Sequence, residues 1–255
     1  MQTGLLDPFP LWAILLLTVA VALLGVEAGY RFAHSRRQRS LPDKESNLGS
    51  MVGGTLGLLA FMLAFTFGLA GSRFEDRREV VLSEANAIGT TYLRAAMLPE
   101  PMGTDARNLL REYVDVRLEG VQQNKVDEAI AKSEQLHERL WSTAVAAVQK
   151  ERSPTVNLFV TSLNEVIDLH ATRLMRLRSR VPAVIWIVLY LLLLLTMVMI
   201  GYQQGVSGSK RSLAVIALIL GFSTVLYLIT DLDRPGKGML QVSQQAMIDL
   251  RRSMK

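Results

Sequence analysis

The sequence contains no cysteine, which excludes disulfide bonds, thiolate metal sites and cysteine nucleophiles. Histidine is also scarce: the three are His34, His137 and His170, and none has a metal-ligating partner four residues further on. There is no glycine-rich phosphate loop, and no Ser/His/Asp arrangement can be recognised from the spacing. These absences predict a protein that is not an enzyme and that carries no cofactor and no metal ion.

The centre of the chain carries no net charge. Residues 72–181 contain 16 Lys/Arg and 16 Asp/Glu, whereas the remainder contains 12 and 7 and so carries the whole net charge of +5. This basic excess lies in short segments beside apolar blocks, where basic residues are typical of a membrane surface. We therefore expect no nucleic acid as a partner.

Apolar residues make up 50% of the sequence and cluster in blocks instead of recurring with a helical or strand period. A helix needs about 20 mostly apolar residues to cross a bilayer. Blocks of about this length are residues 11–30, 51–71, 182–202 and 213–230. The first could instead be a secretory signal peptide, but no basic residue precedes it. The pattern predicts an all-α, four-span integral protein of the cell membrane, with the lipid bilayer as a partner.

The segment between the second and third spans is rich in helix formers. Its breaks are Pro99 with Pro101, Gly120 and Ser153 with Pro154. They predict four helices at about 72–98, 104–121, 125–151 and 155–180. We expect the second and third spans to continue into this segment as rigid helices. The predicted domains are a first pair of spans with a basic connecting loop, a helical extramembrane insert, a second pair of spans and a tail, at residues 1–71, 72–181, 182–230 and 231–255.

One face of the second span is large and apolar. The spacing of its residues places them on one side of a helix; they are Leu58, Phe61, Met62, Phe65 and Leu69. Around a symmetry axis this face would form a hydrophobic constriction, which can gate a pore by dewetting. Ordinary packing or lipid contact explains the same spacing equally well.

A dense group of charges follows directly after this span. Arg73, Arg77 and Arg78 lie on the helix where it would leave the bilayer. They could form a vestibule that attracts anions. The alternative is an anchor of side chains that reach back to the membrane surface.

Three carboxylates lie at the ends of spans and are candidates for function. Acidic residues inside a membrane are functional candidates by default, but we favour a pair between Glu27 and Arg31, four residues apart, at the interface. Asp231 and Asp233 could bind a cation. We favour capping of the next turn and pairing with Arg234 instead.

Basic residues near the spans predict the orientation. The side with both termini and the insert carries eleven juxtamembrane Lys/Arg, and the other side carries seven. Cytoplasmic loops are enriched in Lys and Arg, so we expect both termini and residues 72–181 in the cytoplasm. The five basic residues from Arg31 to Lys44 argue for the reverse.

Several segments resemble one known family. Residues 58–67 read LLAFMLAFTF, residues 72–78 read SRFEDRR, and residues 84–90 read EANAIGT. Together with DLDRP at 231–235 and VSQQ at 242–245, they resemble the bacterial bestrophin-like domain family over nearly the whole chain. The pattern Arg73-Phe74-Glu75-Asp76-Arg77 after the second span also resembles the bestrophin channels themselves.

This resemblance implies a homo-oligomer, a pentamer in the bestrophins, whose second spans line a pore for small ions. The insert and both termini would be cytoplasmic. No acidic cluster matches the calcium clasp of the animal channels, so calcium gating is not implied. The competing hypothesis is a non-conducting membrane scaffold or sensor that acts through its helical insert.

Overall fold

The computed structural model describes residues 6–38, 47–123, 125–208, 213–236 and 238–254. These residues are helical or lie in turns and connections, and they contain no strand. The helices they form are α1 Leu11–Gln38, α2 Leu48–Ala95, α3 Met102–Gln122, α4 Val126–Lys150, α5 Pro154–Arg178, α6 Ala183–Ser207, α7 Leu213–Asp233 and α8 Gln245–Ser253. Within the described ranges, four helical stretches are long and apolar enough to cross a membrane, namely α1, α2, the one that contains α6, and α7. The predicted all-α, four-span fold is confirmed.

The chain divides into two compact units. The first, which we call the membrane unit, comprises Met1–Arg73 and Arg180–Leu240. The second, the insert unit, comprises Phe74–Ser179 and Gln241–Lys255. Each unit is therefore built from segments that are distant in sequence, and the end of the chain belongs to the insert unit.

Close contact between backbones characterises the membrane unit. Helix α1 packs against α6 and, less extensively, against α7. A Cβ atom added to Gly29 would overlap the backbone of Val198, and one added to Gly201 would overlap the backbone of Val26. Small residues allow membrane helices to approach this closely, since the surrounding lipid provides no hydrophobic force between them.

The insert unit has an apolar core of its own. Its largest fully buried side chains include Tyr113, Phe159, Ile88, Leu110 and Leu163. They come from α2, α3 and α5, and α8 adds the buried side chain of Met247. Helix α8 is an element that the sequence analysis assigned only to a tail.

The prediction that the second span continues into the insert as one helix is confirmed, because α2 is a single helix from Leu48 to Ala95. The same prediction for the third span is wrong. Helix α5 ends at Arg178, Ser179 has an extended backbone with ψ of 120°, and α6 begins only after Pro182. Proline has no N–H to donate and disfavours a helical conformation in the residue before it, so the helix stops there.

The predicted orientation stays a prediction. Several basic residues on which it depends lie outside the described residues, namely Arg39, Lys44, Lys210, Arg211 and Lys237.

Candidate functional site

The apolar face predicted on the second span is largely exposed in the single chain. The side chains of Leu58, Phe61 and Phe65 are 49%, 65% and 58% exposed. Met62 and Leu69 are half-buried on the same side of the helix. None of the residues that the structure describes covers these three side chains, so they are available to lipid, to a pore or to another copy.

A second exposed face of α2 carries only small residues. Its members recur three or four residues apart and are all exposed: Gly53, Gly57, Ala60, Ala64 and Gly68. A Cβ atom added at any of the three glycines would meet no atom within 4 Å. The buried face of the span is separate and consists of Val52, Leu59, Leu63, Thr66 and Ala70. The span therefore presents one covered face and two uncovered faces, one with large side chains and one with small side chains.

The three arginines after the span lie in different environments. Arg78 is exposed and lies 3.6 Å from Glu75, and Arg73 is half-buried. Arg77 is only 3% exposed, which favours a structural role for it. The vestibule hypothesis therefore depends on Arg73 and Arg78.

Each carboxylate at a span end has partners in the chain. Arg31 Nε donates to Glu27 Oε1 at 2.7 Å, which confirms the favoured pair between these two residues. Asp231 is buried and accepts from the backbone N–H groups of Met239 and Leu240 at 3.0 and 3.2 Å. The side chain of Asp231 thus caps the turn after α7, as expected.

Asp233 and Arg234 have partners beyond the expected ones. Asp233 Oδ1 accepts from the N–H of Val181 at 2.8 Å, so it caps the start of the third span. Arg234 Nε lies 3.6 Å from Asp7 Oδ1, and its guanidinium donates to the carbonyl oxygens of Phe9 and Leu6. These contacts tie the segment before α1 to the end of α7.

A buried polar cluster lies inside the insert unit, and the sequence analysis missed it. Glu84 on α2 accepts a hydrogen bond from the Tyr113 hydroxyl at 2.6 Å and another from Arg173 Nη1. Arg117 Nε lies 3.4 Å from the same carboxylate. His170 Nδ1 is 3.1 Å from the Tyr113 oxygen.

The burial and the charges of this cluster shift the pKa values of its side chains. Burial alone would raise the pKa of Glu84, but Arg173, Arg117 and the Tyr113 hydrogen bond more than offset it and hold the pKa below its usual value. Burial and the charge of Glu84 raise the pKa of Tyr113 well above its ordinary value. The glutamate is therefore ionised at neutral pH and the tyrosine is not.

A model of the Bestrophin-like domain matches residues 16–247 of this sequence. The chain belongs to the bestrophin-like domain family. A search of the curated proteins found no match.

Solved structures share the fold of this bestrophin-like chain. A bacterial bestrophin homologue from Klebsiella pneumoniae is 16% identical with a TM-score of 0.64, over 94% of this chain and 96% of that one. A variant of the Klebsiella pneumoniae homologue is 16% identical with a TM-score of 0.65, over 96% and 97%. A structure described as a membrane protein is 15% identical with a TM-score of 0.63, over 94% and 95%. At these identities the likeness concerns the fold.

A sequence signal for part of the missed cluster does exist in this bestrophin-like protein. Residues 156, 159, 163, 166 and 170 form the apolar stripe of α5, and Arg173 continues the same three-and-four spacing. Arg173 is one of the eleven basic residues counted beside the spans on the side of the insert, yet it is buried against Glu84. A charged residue in an apolar stripe indicates a buried partner, but it does not indicate which one.

Proposed function

We propose that this bestrophin-like membrane protein is a homo-oligomeric channel that passes small ions down their gradient through a pore lined by α2. The resemblance to bestrophins implies five copies around one axis. The observation that carries the proposal is the pair of uncovered faces on α2, one with large apolar residues and one with small residues.

These faces suit the two contacts that a pore-lining helix makes in a ring. Small residues let neighbouring helices approach closely in a membrane, so the face with Gly57 and Ala64 would pack against the next copy. The large apolar face would turn towards the axis, where Leu58, Phe61 and Phe65 would narrow the pore and control its wetting.

The test is ion flux through the full-length protein in liposomes. Replacing both Phe61 and Phe65 by alanine widens an apolar constriction, so we expect flux several-fold above that of the wild type. The matched control is Phe67→Ala. Phe67 is also exposed on α2, at 44%, but lies on the opposite side of the helix from Leu58. We expect the control to conduct like the wild type.

The oligomeric state measured in detergent completes the test. Absence of flux for any small ion at varied voltage, together with a monomeric or dimeric state, would overturn the channel proposal. In that case a partner protein that copurifies through residues 104–151 would support the non-conducting scaffold or sensor. Equal flux changes in the phenylalanine pair and in Phe67→Ala would contradict the assignment of the pore face.

A further inference from the structure

Two histidines from different helices meet in the core of the insert unit. His137 on α4 and His170 on α5 are only 8% and 4% exposed. Their ring centroids are 4.9 Å apart, edge to face, and the Tyr113 ring on α3 lies 4.9 Å from that of His137. We call these two residues the histidine pair. It lies where three helices pack together.

The hydrogen bonds define the protonation of His170. Because Glu84 is ionised, it can only accept, so the Tyr113 hydroxyl donates its proton to Glu84. The tyrosine oxygen then accepts from His170, which places the proton of the neutral imidazole on Nδ1. Nε2 of His170 is left with a bare lone pair. It is buried and has no hydrogen-bond partner among the described residues, and the same is true of His137 Nε2.

The charged groups around the histidine pair oppose a further positive charge. Helix α2 contributes Glu84, α3 contributes Tyr113 and Arg117, and α5 contributes Arg173. The segment before α8 adds the uncharged Gln244, which accepts from Arg173 at 3.0 Å. One carboxylate thus faces two guanidinium groups. Burial, followed by the charge of Arg117, lowers the pKa of His170 to about 4, and burial with Arg117 lowers that of His137 to about 4 although Glu84 opposes the shift.

We propose that the histidine pair is a proton-binding switch of the insert unit: proton uptake by either ring opens the packing of α4 and α5 around Tyr113 and Arg117. An opened unit exposes both rings to water and removes the repulsion by Arg117. The open state therefore binds protons more readily than the closed state, and acid favours it.

The direction and pH window of this effect follow from the two states. The closed state holds the histidine pKa near 4, below the ordinary value of 6.5. The stability that the pair contributes is thus fully present above about pH 6.5 and is lost as the pH falls towards 4. Glu84 acts in the same direction, but only below its ordinary value of 4.5. Measurements above pH 5 therefore isolate the histidines.

The experiment is a series of thermal melts of the full-length protein in detergent between about pH 7.5 and pH 5. For the wild type we expect the melting temperature to fall by about 5–10 °C over this range. Replacing His137 and His170 together by phenylalanine removes both proton acceptors and keeps aromatic rings in the core. We expect the melting temperature of this variant to fall by less than half as much as that of the wild type. The remaining histidine provides the control, since His34→Phe should retain the full decrease.

A second measurement covers the case in which the double variant does not fold. Exchange of the histidine C2 protons, followed by mass spectrometry on the wild type, reports the titration of each ring separately. Midpoints well below the ordinary imidazole range for His137 and His170 support the switch. Midpoints near the ordinary value, or a wild-type melting temperature that does not change between pH 7.5 and 5, would overturn it. A double variant as acid-sensitive as the wild type would also overturn it. None of these readouts depends on ion conduction.

Discussion

The carboxylate of Glu84 is shared by side chains from two other helices of the insert unit. Tyr113 and Arg117 reach it from α3 and Arg173 from α5. Removing one partner from a buried ion pair costs more than the pair contributes to stability, because the remaining charge stays buried without compensation. At Glu84 the remaining charges would be two guanidinium groups. This residue therefore has an unusually large influence on the stability of its unit.

Glu84→Gln tests this influence. The change keeps the shape of the side chain and removes its charge, so we expect a loss of about 3–5 kcal/mol in the free energy of unfolding. Chemical denaturation followed by circular dichroism measures this loss. The control is Glu165→Gln, the same substitution at an exposed position on α5, which should change stability little. Equal stability of the two variants would contradict the central role of Glu84.

At the scale of helices, the packing inside the membrane unit differs from the packing inside the insert unit. Helices α1 and α6 contact each other through backbone atoms, and Gly29 and Gly201 are the positions where a side chain does not fit. The insert unit instead packs large side chains such as Tyr113 and Phe159. Within the membrane unit, replacement by alanine should therefore be tolerated at some glycines and not at others.

Gly29→Ala should destabilise the membrane unit. Its Cβ atom would overlap the carbonyl group of Val198, and overpacking of this kind costs about 1–3 kcal/mol. Gly221→Ala on α7 is the control, because a Cβ atom there meets nothing within 4 Å. Both changes favour the helical conformation by a similar amount, about 1 kcal/mol. A lower melting temperature for Gly29→Ala alone is the expected result, and similar melting temperatures for the two variants would contradict the close packing.

At the scale of the whole molecule, we propose that copies assemble through the small-residue face of α2. Ala64 lies in the middle of this face and is exposed in the single chain. Close packing of helices in a membrane requires small side chains at the contact. A large side chain at this position should separate the copies and leave the fold of each chain intact.

Ala64→Trp should therefore reduce the mass of the assembly, measured by light scattering after size-exclusion chromatography in detergent. Ala217→Trp is the matched control, since Ala217 is an exposed alanine in another span, α7. We expect the control to keep the mass of the wild type. An unchanged mass for Ala64→Trp would exclude this face from the contact between copies.

Hydropathy alone defines the four spans, and prolines mark two of the breaks between helices. The spans follow from runs of contiguous apolar residues, Pro99 and Pro101 lie between α2 and α3, and Pro154 begins α5 after the end of α4. These properties depend on neighbours in sequence, so no knowledge of the fold is needed. The one continuity predicted wrongly is that between α5 and α6, where Pro182 precedes α6 and disfavours a helical conformation in the residue before it.

Which distant residues meet was decided by the packing of helices. Arg173 and Glu84 are separated by 89 positions. The apolar spacing of α5 indicates that Arg173 is buried, but nothing in the sequence identifies Glu84 as its partner. His137 lies in a sequence segment rich in charged residues, yet it packs beside His170 in the core because α4 turns that side towards α3 and α5. Pairing between buried charges becomes strong only when water is excluded from both partners. Composition and the contiguous apolar blocks determine that this chain enters a membrane, whereas the neighbours that exclude water from each charge exist only once the helices have packed.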